Sequence, residues 1–138
     1  MNFKTIQIGP MIEQKIAENG IEVSRICSFL NIMEADLKQI YRSTSIDTDL
    51  LLRISKLTDY DFFRIYSQHL ILYSPSKRSQ ISNNKTELPV FRKSIYSKEV
   101  IYFILELIAS GSKTKSQIIE EYCIPKTTLY KWIKKYQK

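Results

Sequence analysis

Leu129, Trp132, Ile133 and Tyr136 recur three, one and three residues apart, a spacing that puts all four on one face of an α-helix. Lys126, Thr127, Tyr130, Lys131, Lys134 and Lys138 mostly project elsewhere, so the remaining surface carries ammonium groups, hydroxyls and an aromatic ring. Directly upstream, Ile118-Ile119-Glu120-Glu121-Tyr122 is apolar at helical spacing and is joined to this helix by only Cys123-Ile124-Pro125. A connection that short makes the two helices neighbours. A third helix is needed to close their core, with Trp132 expected at its centre.

That third helix is legible in Val100, Ile101, Phe103, Ile104, Leu107 and Ile108, a wide apolar stripe opened by Ser97 and ended by Ser110-Gly111. The first half of the chain reads the same way. Gly9-Pro10 opens a helix with Ile12, Ile16 and Met11 inward, and Asn19-Gly20 closes it. A second helix runs from about Val23 to Leu30 with Ile26, Cys27 and Leu30 inward, followed by Asn31, which tolerates the left-handed backbone of a sharp turn. A third spans about Glu34 to Tyr41 on Leu37, Ile40 and Tyr41. Asp47 or Thr48 caps a fourth with Leu51, Leu52, Ile54 and Leu57 as core. Asp59 or Asp61 caps a fifth, with Phe62, Phe63, Ile65, Tyr66 and Leu70 inward. No segment alternates at period two over strand length, so the expected fold is all-α.

Charge divides the chain where composition does. Residues 1–76 hold eight Lys/Arg against nine Asp/Glu, and residues 77–138 hold thirteen against five, so the second part carries +8 of a net +7. Residues 74–96 are rich in Ser and Asn, contain two Pro after residue 73 and include the basic pair Lys77-Arg78. That composition reads as a flexible basic linker. The expected organisation is a five-helix domain over 1–73, the linker over 74–96 and a three-helix domain over 97–138. A basic excess concentrated beside a two-helix motif favours a polyanionic partner.

Two segments fit a helix-turn-helix, in which the second helix enters the DNA major groove. Such a unit wants a compact residue where the helices cross, a turn residue tolerant of positive φ, and apolar anchors on the second helix. In the first segment these are Cys27, Asn31, then Leu37 and Ile40; in the second, Ile119, Cys123, then Leu129 and Trp132. The first, from Gly9 to about Tyr73, resembles the Cro/XRE-like repressor domain, with Ser45-Ile46-Asp47-Thr48-Asp49-Leu50-Leu51-Leu52-Arg53-Ile54-Ser55-Lys56 similar to its helix-four signature. The resemblance implies readout by the third helix, through Glu34, Ala35, Lys38, Gln39 and Arg42. Glu34 and Asp36 depart from a typical DNA reader by placing negative charge where phosphates approach. The second, about Tyr96 to Lys138, is similar to the helix-turn-helix at the start of insertion-sequence transposases, on the string Lys115 to Trp132. Cys123 stands where that family usually has Gly. By this resemblance Lys126, Thr127, Thr128, Tyr130 and Lys131 face the groove, and Lys134, Lys135 and Lys138, at the far end of the helix, are expected to supply general phosphate attraction.

Other chemistries lack their residues. His69 is the single histidine and sits among Gln68, Leu70, Ile71 and Leu72, without partners for catalysis or metal binding. Cys27 and Cys123 make no disulfide framework or zinc quartet and are expected to be buried thiols in a reducing compartment. Three glycines leave no Gly-rich phosphate loop. No secretory signal and no stretch approaching roughly 18 apolar residues is evident. The expectation is a non-enzymatic, basic, cytoplasmic and nucleoid-associated protein without cofactor or metal. It is expected to bind double-stranded DNA with sequence preference through two helix-turn-helix modules, as a transcription regulator or as a non-catalytic transposition accessory of a mobile element. A homodimer through the first domain stays open. The alternative is a protein-interaction adaptor whose first domain binds a protein and whose basic second domain holds nucleic acid nonspecifically.

Overall fold

The computed structural model describes residues 1–75, 87–89 and 95–137. Among these the protein is all-α, with eight helices and no strand: α1 Ile8–Asn19, α2 Val23–Leu30, α3 Glu34–Arg42, α4 Thr48–Thr58, α5 Phe63–Tyr73, α6 Lys98–Ala109, α7 Lys115–Glu121 and α8 Lys126–Tyr136. The chain divides into two compact units, Asn2–Tyr66 and Ser67–Lys138. The division falls inside α5, whereas the sequence reading drew the first domain to residue 73. Most of the expected linker, including Lys77-Arg78, lies outside the described residues.

Helix ends in the first unit follow from local chemistry. Gly20 closes α1 at φ 63° and Asn31 closes α2 at φ 54°, both left-handed. The Asp47 carboxylate accepts the backbone N–H groups of Asp49 and Leu50 and so caps α4. At the start of α5, Asp61 accepts from Phe63 N–H at 3.1 Å. The start of α1 is satisfied tertiarily: Gly9 N–H donates to the Ser43 carbonyl at 3.0 Å and Ile8 N–H to that of Thr44 at 3.4 Å. This approach requires glycine, because a Cβ on Gly9 would lie 2.4 Å from the Ile40 carbonyl oxygen. α1 thereby packs on α3 and α4, and α2 on α3 and α4.

Ile8, Ile12, Ile16, Ile26, Leu37, Ile54 and Phe62 form the heart of this unit. Two cross-links hold helix ends beside it. Arg53 of α4 donates to the Phe29 carbonyl at 2.9 Å, near the end of α2, and Asn19 donates to the Thr58 carbonyl at 2.8 Å. The expected core was too generous in places: Leu52 and Leu70 are exposed, and Met11 and Cys27 are half-buried. Leu51 and Ile54 already fill the inward side of α4, leaving Leu52 on its outer side.

In the second unit α8 packs on both α6 and α7. Val100, Ile104, Ile118, Ile124 and Leu129 are its most deeply buried side chains. Ser97 caps α6 by accepting from Val100 N–H, and Gly111 turns the chain after it at φ 72°. A buried polar residue, Gln68 from α5, completes the approach to α6. Its amide nitrogen donates to the Ile95 carbonyl at 2.7 Å and its oxygen accepts from Ser97 N–H at 2.9 Å.

Candidate nucleic-acid interface

The positioning of α8 begins with α7. Thr114 accepts from Gln117 N–H at 3.2 Å while the Gln117 side chain accepts from Thr114 N–H at 2.8 Å, a reciprocal cap. The Lys113 ammonium pairs with Glu121 at the far end of the helix and lies 6.0 Å from the Tyr122 ring. The bond to Glu121 holds the Lys113 ammonium above its ordinary pKa, and burial pushes the Tyr122 phenol up. Four residues then turn the chain. Cys123 takes φ 51°, the left-handed conformation that a residue other than glycine adopts only at an energetic cost. Ile124 is driven into the core beside it, 1% exposed.

From Pro125 the chain enters α8, whose apolar side is fixed in three places. Leu129 is fully buried, and Trp132, at 9% exposure, meets Tyr96 edge to face with ring centroids 4.9 Å apart. Tyr136 meets Tyr102 in the same way at 5.6 Å. Both thiols, Cys27 in the middle of α2 and Cys123 in the turn before α8, are half-buried rather than buried.

The outer side of α8 holds the expected contact residues together. Lys126, Thr127, Tyr130, Lys131, Lys134 and Lys135 are exposed and Thr128 is half-buried. The helix contains four lysines and no acid, for +4 over eleven residues. Among the described residues no carboxylate lies within ion-pairing distance of Lys126, Lys131, Lys134 or Lys135.

The corresponding helix of the first unit, α3, has the same skeleton and a different surface. A shift of 92 residues maps Ile26 onto Ile118, Asn31 onto Cys123, Leu37 onto Leu129 and Ile40 onto Trp132. All the apolar members of both sets are buried, and both turn residues have positive φ. The same shift maps Glu34 onto Lys126 and Asp36 onto Thr128. On α3, Lys38, Gln39 and Arg42 are exposed, but Glu34 pairs with Lys38 at 3.5 Å. Asp36 reaches back to accept from Met33 N–H at 3.0 Å. With two acids and two bases α3 is neutral.

One cationic residue of this surface escaped the sequence reading. Lys115, the first residue of α7, places its ammonium 5.3 Å from the centroid of the Tyr130 ring, and Lys126 lies 5.7 Å from the same ring. The Thr114-Lys115-Ser116-Gln117 capping pattern fixes where α7 starts and thus which lysine stands there. Its meeting with Tyr130 is tertiary.

A scan of protein-family models, a search of curated proteins and a search of solved structures each found no match to the chain.

Proposed function

We propose that the protein is a sequence-preferring double-stranded DNA-binding protein in which α8 is the principal reading helix. One observation carries this reading. The solvent side of α8 presents Lys126, Thr127, Tyr130, Lys131, Lys134 and Lys135 with no acid among them, on a helix anchored by Leu129 and Trp132. Lysines neutralise phosphates, and threonine and lysine near a helix start can reach base edges. The left-handed Cys123 between α7 and α8 agrees with the helix-turn-helix resemblance of insertion-sequence transposases, and the left-handed Asn31 with that of Cro/XRE-like domains. On this reading the chain recognises sites as a transcriptional regulator or as a non-catalytic accessory in transposition, working at the nucleoid in the cytoplasm. Among the described residues no helix is long and apolar enough to cross a membrane.

A second reading draws on α3. Its acids at the first turn and the Glu34–Lys38 pair leave it neutral, which favours a protein-facing role for the first module, as an adaptor or in self-association. Binding of the full chain to random duplex DNA over a salt series, followed by selection of preferred sites from a random pool, separates the two. Recovery of one preferred sequence supports the reader. Salt-sensitive binding with no preferred sequence supports the adaptor.

A further inference from the structure

We infer that Lys115, Tyr130 and Lys126 form a clamp for one backbone phosphate of duplex DNA, an inference that rests on the DNA-binding reading above. The two lysines are the first residues of α7 and α8, so their backbones belong to different helices. Their ammonium groups nevertheless converge on one ring, at 5.3 and 5.7 Å from its centroid. Lys126 and Tyr130 are one helical turn apart and would meet on any helix. Lys115 reaches the ring only because α7 packs on α8. Attraction between a cation and the face of an aromatic ring holds each ammonium there, against the mutual repulsion of two like charges.

The neighbouring Lys113 supplies the contrast. Its ammonium also lies against a ring, that of Tyr122, but it is neutralised by Glu121. No described carboxylate lies within ion-pairing distance of Lys115 or Lys126, so their charge is left for an external anion. Tyr130 is 45% exposed, and Lys115 and Lys126 are exposed beside it, so the two ammonium groups on its ring are open to the same anion. A phosphodiester carries two non-bridging oxygens and can accept from both ammonium groups at once. Such a contact fixes the register of α8 on the backbone without reading sequence.

The test uses the full chain on random duplex DNA over a salt series, with Lys115→Gln, Tyr130→Phe, Tyr130→Leu and the Lys115→Gln/Tyr130→Leu double variant. Far-ultraviolet circular dichroism checks that each keeps the helical content of the parent. Lys115→Gln is expected to lower the slope of log affinity against log salt by about 1 and to weaken random and preferred DNA by the same factor. Tyr130→Phe keeps the ring and is expected to bind within about twofold of the parent, while Tyr130→Leu loses most of what Lys115→Gln loses. The double variant is expected within about twofold of Lys115→Gln alone, because both substitutions break one unit. A parental slope for Lys115→Gln overturns the clamp. So do additive losses in the double variant, or Tyr130→Phe binding as weakly as Tyr130→Leu. A parent chain that fails to bind random duplex even at low salt removes the DNA reading itself, and the clamp with it.

Discussion

Asn31 and Cys123 hold the same left-handed backbone, at φ 54° and 51°, each at the pivot between two packed helices. Six residues beyond each lies a fully buried leucine, Leu37 or Leu129. Asparagine visits this conformation readily through its short polar side chain, whereas cysteine has no such compensation. Cys123→Gly is therefore expected to stabilise the protein by about 0.5–1 kcal/mol, as relief of strain outweighs the added freedom of the unfolded chain. Chemical denaturation measures this directly, and a loss of stability would mean that the half-buried thiol contributes more than its backbone costs.

The approach of α1 to the end of α3 makes Gly9 intolerant of any side chain. A Cβ there would meet the carbonyl oxygens of Ile40, Ser43 and Tyr41 at 2.4, 2.5 and 2.6 Å, and backbone cannot rotate away as a side chain can. Gly9→Ala is expected to cost about 1–3 kcal/mol or more, the range of overpacked cores. A thermal midpoint equal to that of the parent would show that α1 can slide from α3 without loss.

Trp132 is the single tryptophan, so its emission reports on the core of the second unit alone. Packed against Tyr96 and 9% exposed, it should emit at short wavelength and resist quenching by iodide. Trp132→Ala is expected to cost roughly 3–5 kcal/mol. Red-shifted, readily quenched emission from the native protein would place the indole at the surface instead.

Gln68 satisfies two backbone groups at the entry to α6 from a buried position. Gln68→Ala leaves the Ile95 carbonyl and the Ser97 N–H without that partner and is expected to cost about 1–3 kcal/mol. Denaturant titration followed by circular dichroism measures this loss, and no change would mean that water replaces the amide without penalty.

The legible and the hidden parts of this fold differ in kind. Helix ends are written locally: Asp47, Asn31, Gly20 and Ser97 act where their chemistry says they should. The anchors Leu37, Ile40, Leu129 and Trp132 are buried because period and spacing specify one face. Periodicity fails where apolar residues run together. Leu50-Leu51-Leu52 offers adjacent candidates, and only the packing of α2 and α1 decides that Leu52 faces out. Gln68 was missed because a polar residue carries no sign of burial until its two backbone partners are in place. Lys115 was missed because the ring it approaches belongs to another helix, fifteen residues along the chain. The residues of the α8 surface, by contrast, belong to one helix: spacing alone puts Lys126, Thr127, Tyr130, Lys131 and Lys134 off its apolar face, while Thr128 came from the resemblance to transposase helix-turn-helix units.

The central claim is that α8, and not α3, reads DNA, and paired affinities of full-length variants on a selected site and on random duplex test it most directly. Thr127→Ala or Lys131→Ala is expected to cost about 1–3 kcal/mol on the selected site and little on random DNA. Lys134→Ala or Lys135→Ala should weaken both alike and shallow the salt slope, as for phosphate contacts. Lys38→Ala, Gln39→Ala and Arg42→Ala on α3 should leave the preference between the two DNAs unchanged. Equal losses on both DNAs for Thr127→Ala and Lys131→Ala, with the preference abolished instead by the α3 substitutions, would contradict the account.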